Sequence, residues 1–328
     1  MKTPLNIGLI GCGRVAERFY LPALSCLKEE ARLVAVADPI RERRELFSSR
    51  IPGCVTFSSA EDLLQEAKIV AAIITSPPAT HLSISMLALR AGIHVLVEKP
   101  LATFVGEVEE LRAILNSTGG LLMVGFNRRY WNPVSKLRQI IQDRYHLDAL
   151  SAQLIMTSDI KVWSAIGEVS DPLDDLGSHQ LDLLRYIFDR EIVAICARWI
   201  DTCTIRMQVR LEGGITAECI SAHSNVTQES ITIRCGSQRY RVRLGSERIR
   251  PAAGLIRSML DLSDTFRRRL DARPSSLRSS FERQLVSFFN YISTGTAPHP
   301  GIADGLAVIR AVEAARRSAA DCGMEVPI

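Results

Sequence analysis

"IGLIGCGRVAERF", residues 7–19, decides the fold. The apolar run Leu5–Ile10 passes without a spacer into Gly11-Cys12-Gly13-Arg14-Val15-Ala16, a G-x-G-x-x-A pattern, and a helical pattern follows. In a strand–turn–helix unit the first glycine permits the tight turn and the second lets the backbone approach a pyrophosphate. The small third residue lets the helix pack closely on the sheet. The helix N-terminus turns free N–H groups and a positive dipole end toward the anion. Gly11, Cys12, Gly13, Arg14 and Val15 are therefore candidate cofactor contacts. A glycine turn without a ligand is the alternative; the position after the first strand of an alternating domain favours the dinucleotide.

Outward from this loop, strand-like runs at Leu5–Ile10, Leu33–Ala37, Ile69–Thr75, Ile93–Val97 and Leu121–Phe126 alternate with helical patterns near 14–28, 39–50, 78–91 and 104–117. Continuously apolar strands are expected where helices cover both faces of a parallel sheet. This predicts a doubly wound α/β domain, the Rossmann arrangement, over residues 1–125. Residues 126–328 read differently. Strand-like runs follow one another at 150–157, 192–200, 204–211, 215–223, 230–235 and 239–244, several alternating, with Glu212-Gly213-Gly214 as a hairpin turn. Helices near 132–144, 172–189, 275–293 and 301–320 complete an α+β domain with a large, mostly antiparallel open sheet. That domain is expected to bind substrate and to mediate assembly.

The ends of the parallel strands carry the polar motifs. Asp38 closes "RLVAVADP", where a carboxylate accepts hydrogen bonds from ribose hydroxyls and repels a 2′-phosphate. That favours NAD. Arg41 and Arg43 nearby leave NADP open, and a plain helix cap is the alternative role for Asp38. Thr75-Ser76-Pro77 opens "TSPPATH", which ends at His81, readable as ligand contact or as structural helix residue. Glu98-Lys99-Pro100 ends the run His94–Val97, and Asn127-Arg128-Arg129 follows the next strand. Carboxyl ends of strands line the ligand crevice of an open α/β sheet, so this common location aims Lys99 at a ligand beside the dinucleotide.

In the second domain, "SDPLDDLGSHQLDLLRYIF" (170–188) opens a helix with Asp171 as cap and Pro172 at its first position. Asp175, His179 and Asp182 stand at i, i+4 and i+7, which places them on one α-helical face. An acid beside an imidazole orients it and favours its charged form. A solvated pair is the bland alternative.

Composition narrows the classes. The chain has 328 residues, 47% hydrophobic, and a net charge of +4. No apolar run approaches the roughly 20 residues needed to span a bilayer. The N-terminal run reads as a first strand and not a signal peptide, so a cytoplasmic protein with no membrane partner is expected. Eight scattered cysteines without C-x-x-C spacing argue against a metal site. Twelve arginines against five acids between Ser237 and Arg283 read as a solvated face or subunit contact, with Leu255, Ile256, Met259, Leu260 and Phe266 suggesting an amphipathic helix there. No nucleic-acid partner is expected, although such a stretch keeps an anionic partner as a rival reading.

Taken together, "GLIGCGRVA", "VAVAD", "ITSPPATH", "LRAGIHVLVEKPLA", "VGFNRRYWNP", "DDLGSHQLDLL" and "GIADGLAVIRAVEAARRS" resemble the Gfo/Idh/MocA family of NAD(P)-dependent oxidoreductases. The likeness covers residues 5–145 and 170–190, and 280–320 less closely. It implies hydride transfer between a nicotinamide cofactor and a carbinol carbon of a sugar, inositol or nucleotide sugar. The lysine of its E-K-P motif falls on Lys99 and its D-x-x-x-H pair on Asp175 and His179, which would be catalytic. Glu98, His81 and Asn127 fall where the family contacts the cofactor. Arg128, Lys161 and Trp163 are weaker candidates for substrate contact. A homodimer or homotetramer formed through the open sheet is expected. A dinucleotide-sensing regulator without turnover is the alternative; retention of Lys99, Asp175 and His179 together argues against it.

Overall fold

The computed structural model describes residues 3–143, 150–159, 170–243, 250–251 and 276–328. The chain divides into two compact units, residues 1–127 with 281–313, and residues 128–280 with 314–328.

The first unit holds a six-stranded parallel sheet: β1 (Leu5–Ile10), β2 (Ala31–Ala37), β3 (Val55–Phe57), β4 (Ala71–Ile74), β5 (His94–Val97) and β6 (Leu122–Val124). Their order is β3-β2-β1-β4-β5-β6, the doubly wound Rossmann order. Its helices are α1 (Leu21–Cys26), α2 (Arg41–Arg50), α3 (Ala60–Glu66), α4 (His81–Arg90) and α5 (Val108–Thr118). All four residues of β4 are 0% exposed, as a strand covered on both faces must be. The sequence reading passes over β3 and α3. The strand is three residues at the sheet edge, with Val55 exposed, and α3 is a seven-residue helix capped by Ser59, too short to show a period. Two late segments also belong here. Leu306, Val308 and Ile309 join the apolar core of the parallel sheet, and the Pro300 carbonyl accepts from Val124 N–H at the β6 edge.

The helix after the glycine loop runs from Arg14 to Cys26 and is not uniform: Ala16–Tyr20 is a π-helical turn. A second π turn, Leu173–Gly177, leads into the D-x-x-x-H helix of the other unit. Single π turns inside helices occur frequently at functional sites.

The second unit contains α6 (Asn132–Gln142), β7 (Leu150–Asp159), α7 (Ser178–Phe188), β8 (Ile192–Asp201), β9 (Thr204–Leu211), β10 (Thr216–Ser224), β11 (Gln228–Cys235), β12 (Gln238–Arg243), β13 (Arg250–Pro251) and β14 (Val326–Pro327). The remaining helices, α8 (Ser276–Thr294) and α9 (Ile302–Ala320), fall largely in the first unit. The eight strands form one sheet in the order β13-β12-β11-β7-β10-β9-β8-β14, antiparallel except for β7 beside β10. Alternation decides its faces. In β9, Ile205, Met207, Val209 and Leu211 are buried while Arg206, Gln208 and Arg210 are exposed. α7 is fixed to the buried face by Gln180, which donates to the carbonyls of Leu154 and Ile220 and accepts from the Ser221 hydroxyl. The expected α+β architecture stands.

The turn that opens this unit is pinned by charge. Arg129 and Asp182, 3% and 1% exposed, form a bidentate pair with a shortest contact of 2.6 Å. Removing one member of such a pair strands the other charge away from water. Arg129→Met should therefore destabilise the fold by about 3–5 kcal/mol, while the double change Arg129→Met/Asp182→Leu should recover most of that loss. Urea unfolding of the three proteins measures this; a single variant within about 1 kcal/mol of the unmodified chain would show that the pair is not a support of the fold.

Candidate functional site

In the first unit the glycine loop is built by close backbone approach. Gly11 has φ +95°, and a Cβ there would stand 2.5 Å from Ser76 N and 2.6 Å from the Thr75 carbonyl carbon. Only glycine fits. The Thr75 hydroxyl donates to the Gly11 carbonyl at 2.5 Å, so the β4 end and the glycine loop hold each other. Gly13 is the opposite case. A Cβ there would meet nothing within 4 Å, so the space over the loop is open, as a pyrophosphate needs.

Asp38 is 5% exposed. Its carboxylate accepts from Cys12 N–H at 2.8 Å and from Ile40 N–H at 2.9 Å, tying the end of β2 to the glycine loop. An ionised carboxylate has about four acceptor sites, so capacity remains on both oxygens for ribose hydroxyls. The basic neighbour in hydrogen-bond contact is Arg44, which donates to the Asp38 carbonyl, whereas Arg41 pairs with Glu45. Burial, and next the Asp38 charge, push the Cys12 thiol up to about 12, so it is no nucleophile.

At the β5 end, the Tyr20 hydroxyl donates to Glu98 at 2.7 Å and accepts from Gln284 at 3.3 Å. Phe281 stacks on Phe19 and meets Tyr20 edge-on, closing this cluster. Lys99 follows Glu98, and its bond to Pro100 is cis. His81 is 1% exposed, and its Nδ1 and Nε2 lie 2.7 and 2.8 Å from the carbonyls of Pro100 and Ser76. His81 thus acts as a clamp: its two ring nitrogens face carbonyls of the loops that follow β4 and β5. Asn127 is buried at the end of this unit.

In the second unit, Asp175 lies in the π turn Leu173–Gly177, and His179 and Asp182 lie in the helix that follows it. Asp171 caps the turn, accepting from Leu173 and Asp174 N–H. Asp175 lies 3.5 Å from Nε2 of His223 on β10. His179, 3% exposed, has Nε2 at 3.2 Å from Arg128 Nη1, and Asp182 holds Arg129. Arg128 is in turn gripped by Glu229 of β11 at 2.6 Å. Sequence reasoning missed Tyr20, Gln284, His223 and Glu229. The last two carry a legible signal: by strand parity His223 falls in the inward row of Ala217, Cys219 and Ser221, and Glu229 in that of Ile231 and Ile233. Lys161 and Trp163 lie outside the described residues, as does most of the arginine-rich stretch, including Leu255, Ile256, Met259, Leu260 and Phe266.

Comparison with known proteins agrees with this geometry. Residues 5–126 match the model of the oxidoreductase family GFO_IDH_MocA, described as an NAD-binding Rossmann fold. D-glucoside 3-dehydrogenase of Escherichia coli K12 is 24% identical over 192 residues, 57% of this chain and 54% of the relative. Inositol 2-dehydrogenase 4 of Saccharopolyspora erythraea is 27% identical over 197 residues, 59% and 57% of the two chains. The chain thus spans little more than half the length of these curated relatives. Among solved structures, myo-inositol 2-dehydrogenase from Lactobacillus plantarum superposes with TM-score 0.80 at 19% identity over 99% of both chains, which shows a shared fold.

The His81 clamp has a pH signature. Two carbonyl contacts favour the imidazolium, burial favours the neutral ring, and burial prevails, so its pKa falls below the ordinary 6.5. A histidine depressed in the folded state contributes stability that is full above 6.5 and is lost as pH falls from there toward the folded value, because the unfolded chain takes up the proton first. The unfolding midpoint should therefore drop between pH 7.5 and about 5.5, and His81→Asn should flatten that part of the curve. Identical pH profiles for both proteins would rule the clamp out as its origin.

Proposed function

We propose that the protein is an NAD-dependent dehydrogenase acting on a secondary hydroxyl of a neutral polyhydroxylated ring, an inositol or sugar, with NADP as a weaker cofactor. The observation that carries this reading is the strand-end row of the first unit: open space over Gly13, Asp38 tied to the glycine loop, and Lys99 beyond β5. Inositol 2-dehydrogenases and a glucoside dehydrogenase among the relatives support the substrate class. Residues 1–125 bind the cofactor and 126–328 the substrate in this proposal. The bound nicotinamide supplies the hydride chemistry. Gly11 to Val15 and Asp38 would hold the dinucleotide, with Thr75, Ser76, Pro77, Glu98 and Asn127 shaping its surroundings and His81 keeping their loops in place. His179 takes the hydroxyl proton in oxidation and returns it in reduction, Asp175 assists it, and Lys99 stabilises negative charge as it develops on the substrate. Arg128 reaches His179, which makes it part of this machinery.

A turnover screen of inositols and aldoses with NAD and NADP tests the reading; absence of cofactor reduction across the panel overturns it. Lys99→Ala should lower kcat by about 10²-fold or more with NAD binding nearly intact, and His179→Ala should behave alike. The double variant should lose less than the product of the two, since groups serving one step are not additive. Multiplicative losses would separate their roles.

The same proposal includes a cytoplasmic homodimer or homotetramer; among the described residues no helix is long and apolar enough to cross a membrane. The outward face of the sheet is mostly polar, with Gln153 bonded to Glu218 and Arg206 paired with it, but half-buried Ile155 and Ile220 sit side by side at its centre. A face of mixed character and eight strands is suited to pairing with a second copy. Light scattering at micromolar concentration should give at least twice the 36.3 kDa chain mass; a monomer would refute this assembly.

A further inference from the structure

The contact between Arg128 and His179 sets the state of the imidazole. A guanidinium has only donors, so Nε2 of His179 must accept at 3.2 Å, and the ring carries its one proton on Nδ1. Protonating Nε2 would set donor against donor and cation against cation. Arg128 has little freedom to turn aside. Glu229 holds it at 2.6 Å, the side chains are 12% and 4% exposed, and leaving would strand a buried carboxylate.

We infer that Arg128, gripped by Glu229, is a positioning residue that keeps His179 neutral in the Nδ1–H tautomer and lowers its affinity for a proton. The inference rests on the reading of His179 as the proton-transfer group. It sets a condition on that reading: Nε2 is the one nitrogen that can take the hydroxyl proton, so proton uptake has to break the Arg128 contact, and the imidazolium so formed, opposed by a nearby cation, returns the proton readily.

Among the described residues of this unit, the other charged groups on the same turn, helix and strands are themselves engaged. Arg129 and Asp182 neutralise each other at 2.6 Å. Asp175, on the preceding turn, favours the imidazolium, but its carboxylate is set against His223 at 3.5 Å. Glu229 also favours it, yet stands behind the guanidinium that touches the ring. The group in direct contact prevails.

The experiment is a pH titration of the full chain labelled with ¹⁵N in its histidine rings, with the His179 signals assigned by their loss in His179→Asn. Nitrogen shifts report tautomer and charge directly, which a purely structural role for Arg128 would leave unmoved. In the unmodified protein His179 should show the Nδ1–H tautomer at pH 7. Arg128→Met should raise its titration midpoint by about one pH unit or more. Arg128→Lys, which keeps the charge, should stay near the unmodified value. Arg128→Gln, which keeps a donor without charge, should shift like Arg128→Met and serves if that variant does not fold. An unmodified ring already charged or Nε2-protonated at pH 7, or equal midpoints in the charged and uncharged variants, overturns the inference. A shifted midpoint in a protein that turns over no polyol upholds it and rejects the dehydrogenase reading instead.

Discussion

Two consecutive arginines at the start of the second unit face different acids, and the arrangement of that unit turns on them. Arg129 is spent on Asp182, which anchors α7 to the turn; Arg128 is spent on Glu229, which anchors the turn to β11. Both pairs are nearly dry, so each charge is tolerable only while its partner stays. Their consequence is geometric. With Asp182 committed to Arg129, α7 has a fixed rotation about its axis, and His179 is presented to Arg128. The apolar face of the helix and Gln180 then lock onto the sheet at β7 and β10.

The first unit solves a different problem. A parallel sheet gathers its strand ends on one edge, and the loops there must approach closely enough to share a ligand. Gly11 allows contact with the Thr75–Ser76 backbone, the Asp38 carboxylate takes the Cys12 N–H, and His81 links the loops after β4 and β5. Residues that look like ligand contacts in the sequence are thus partly occupied in holding one another. This is compatible with binding, because preorganised donors and acceptors cost less to align when a ligand arrives. Gly13 is the point left open.

The two π turns have a common effect. Each contains a residue that matters: Tyr20, in Ala16–Tyr20, meets Glu98, and Asp175, in Leu173–Gly177, lies near His223 of β10. A wider turn rotates the side chains that follow it by an amount no α-helical wheel anticipates.

What the sequence determined by itself is the architecture and the addresses of the motifs. Long apolar runs, period-two alternation in β9 and β10, and the glycine loop are local patterns, and local patterns survive folding unchanged. Lys99, Asp38 and Gly11–Gly13 therefore lie at the strand ends where they were expected, and the arrangement of two sheets of different kind was legible in the change of style after residue 125. The tertiary structure alone decided the partnerships. A buried charge seeks whichever opposite charge the packing brings near, and that neighbour can be a hundred residues away, as Glu229 is from Arg128. Edge strand β3 and helix α3 are too short to show a period, and the π turns break the period that sequence reading relies on. Pairing specificity of this kind is set by three-dimensional proximity and desolvation, for which a linear sequence carries only the hint of an acid or a histidine in an otherwise apolar row.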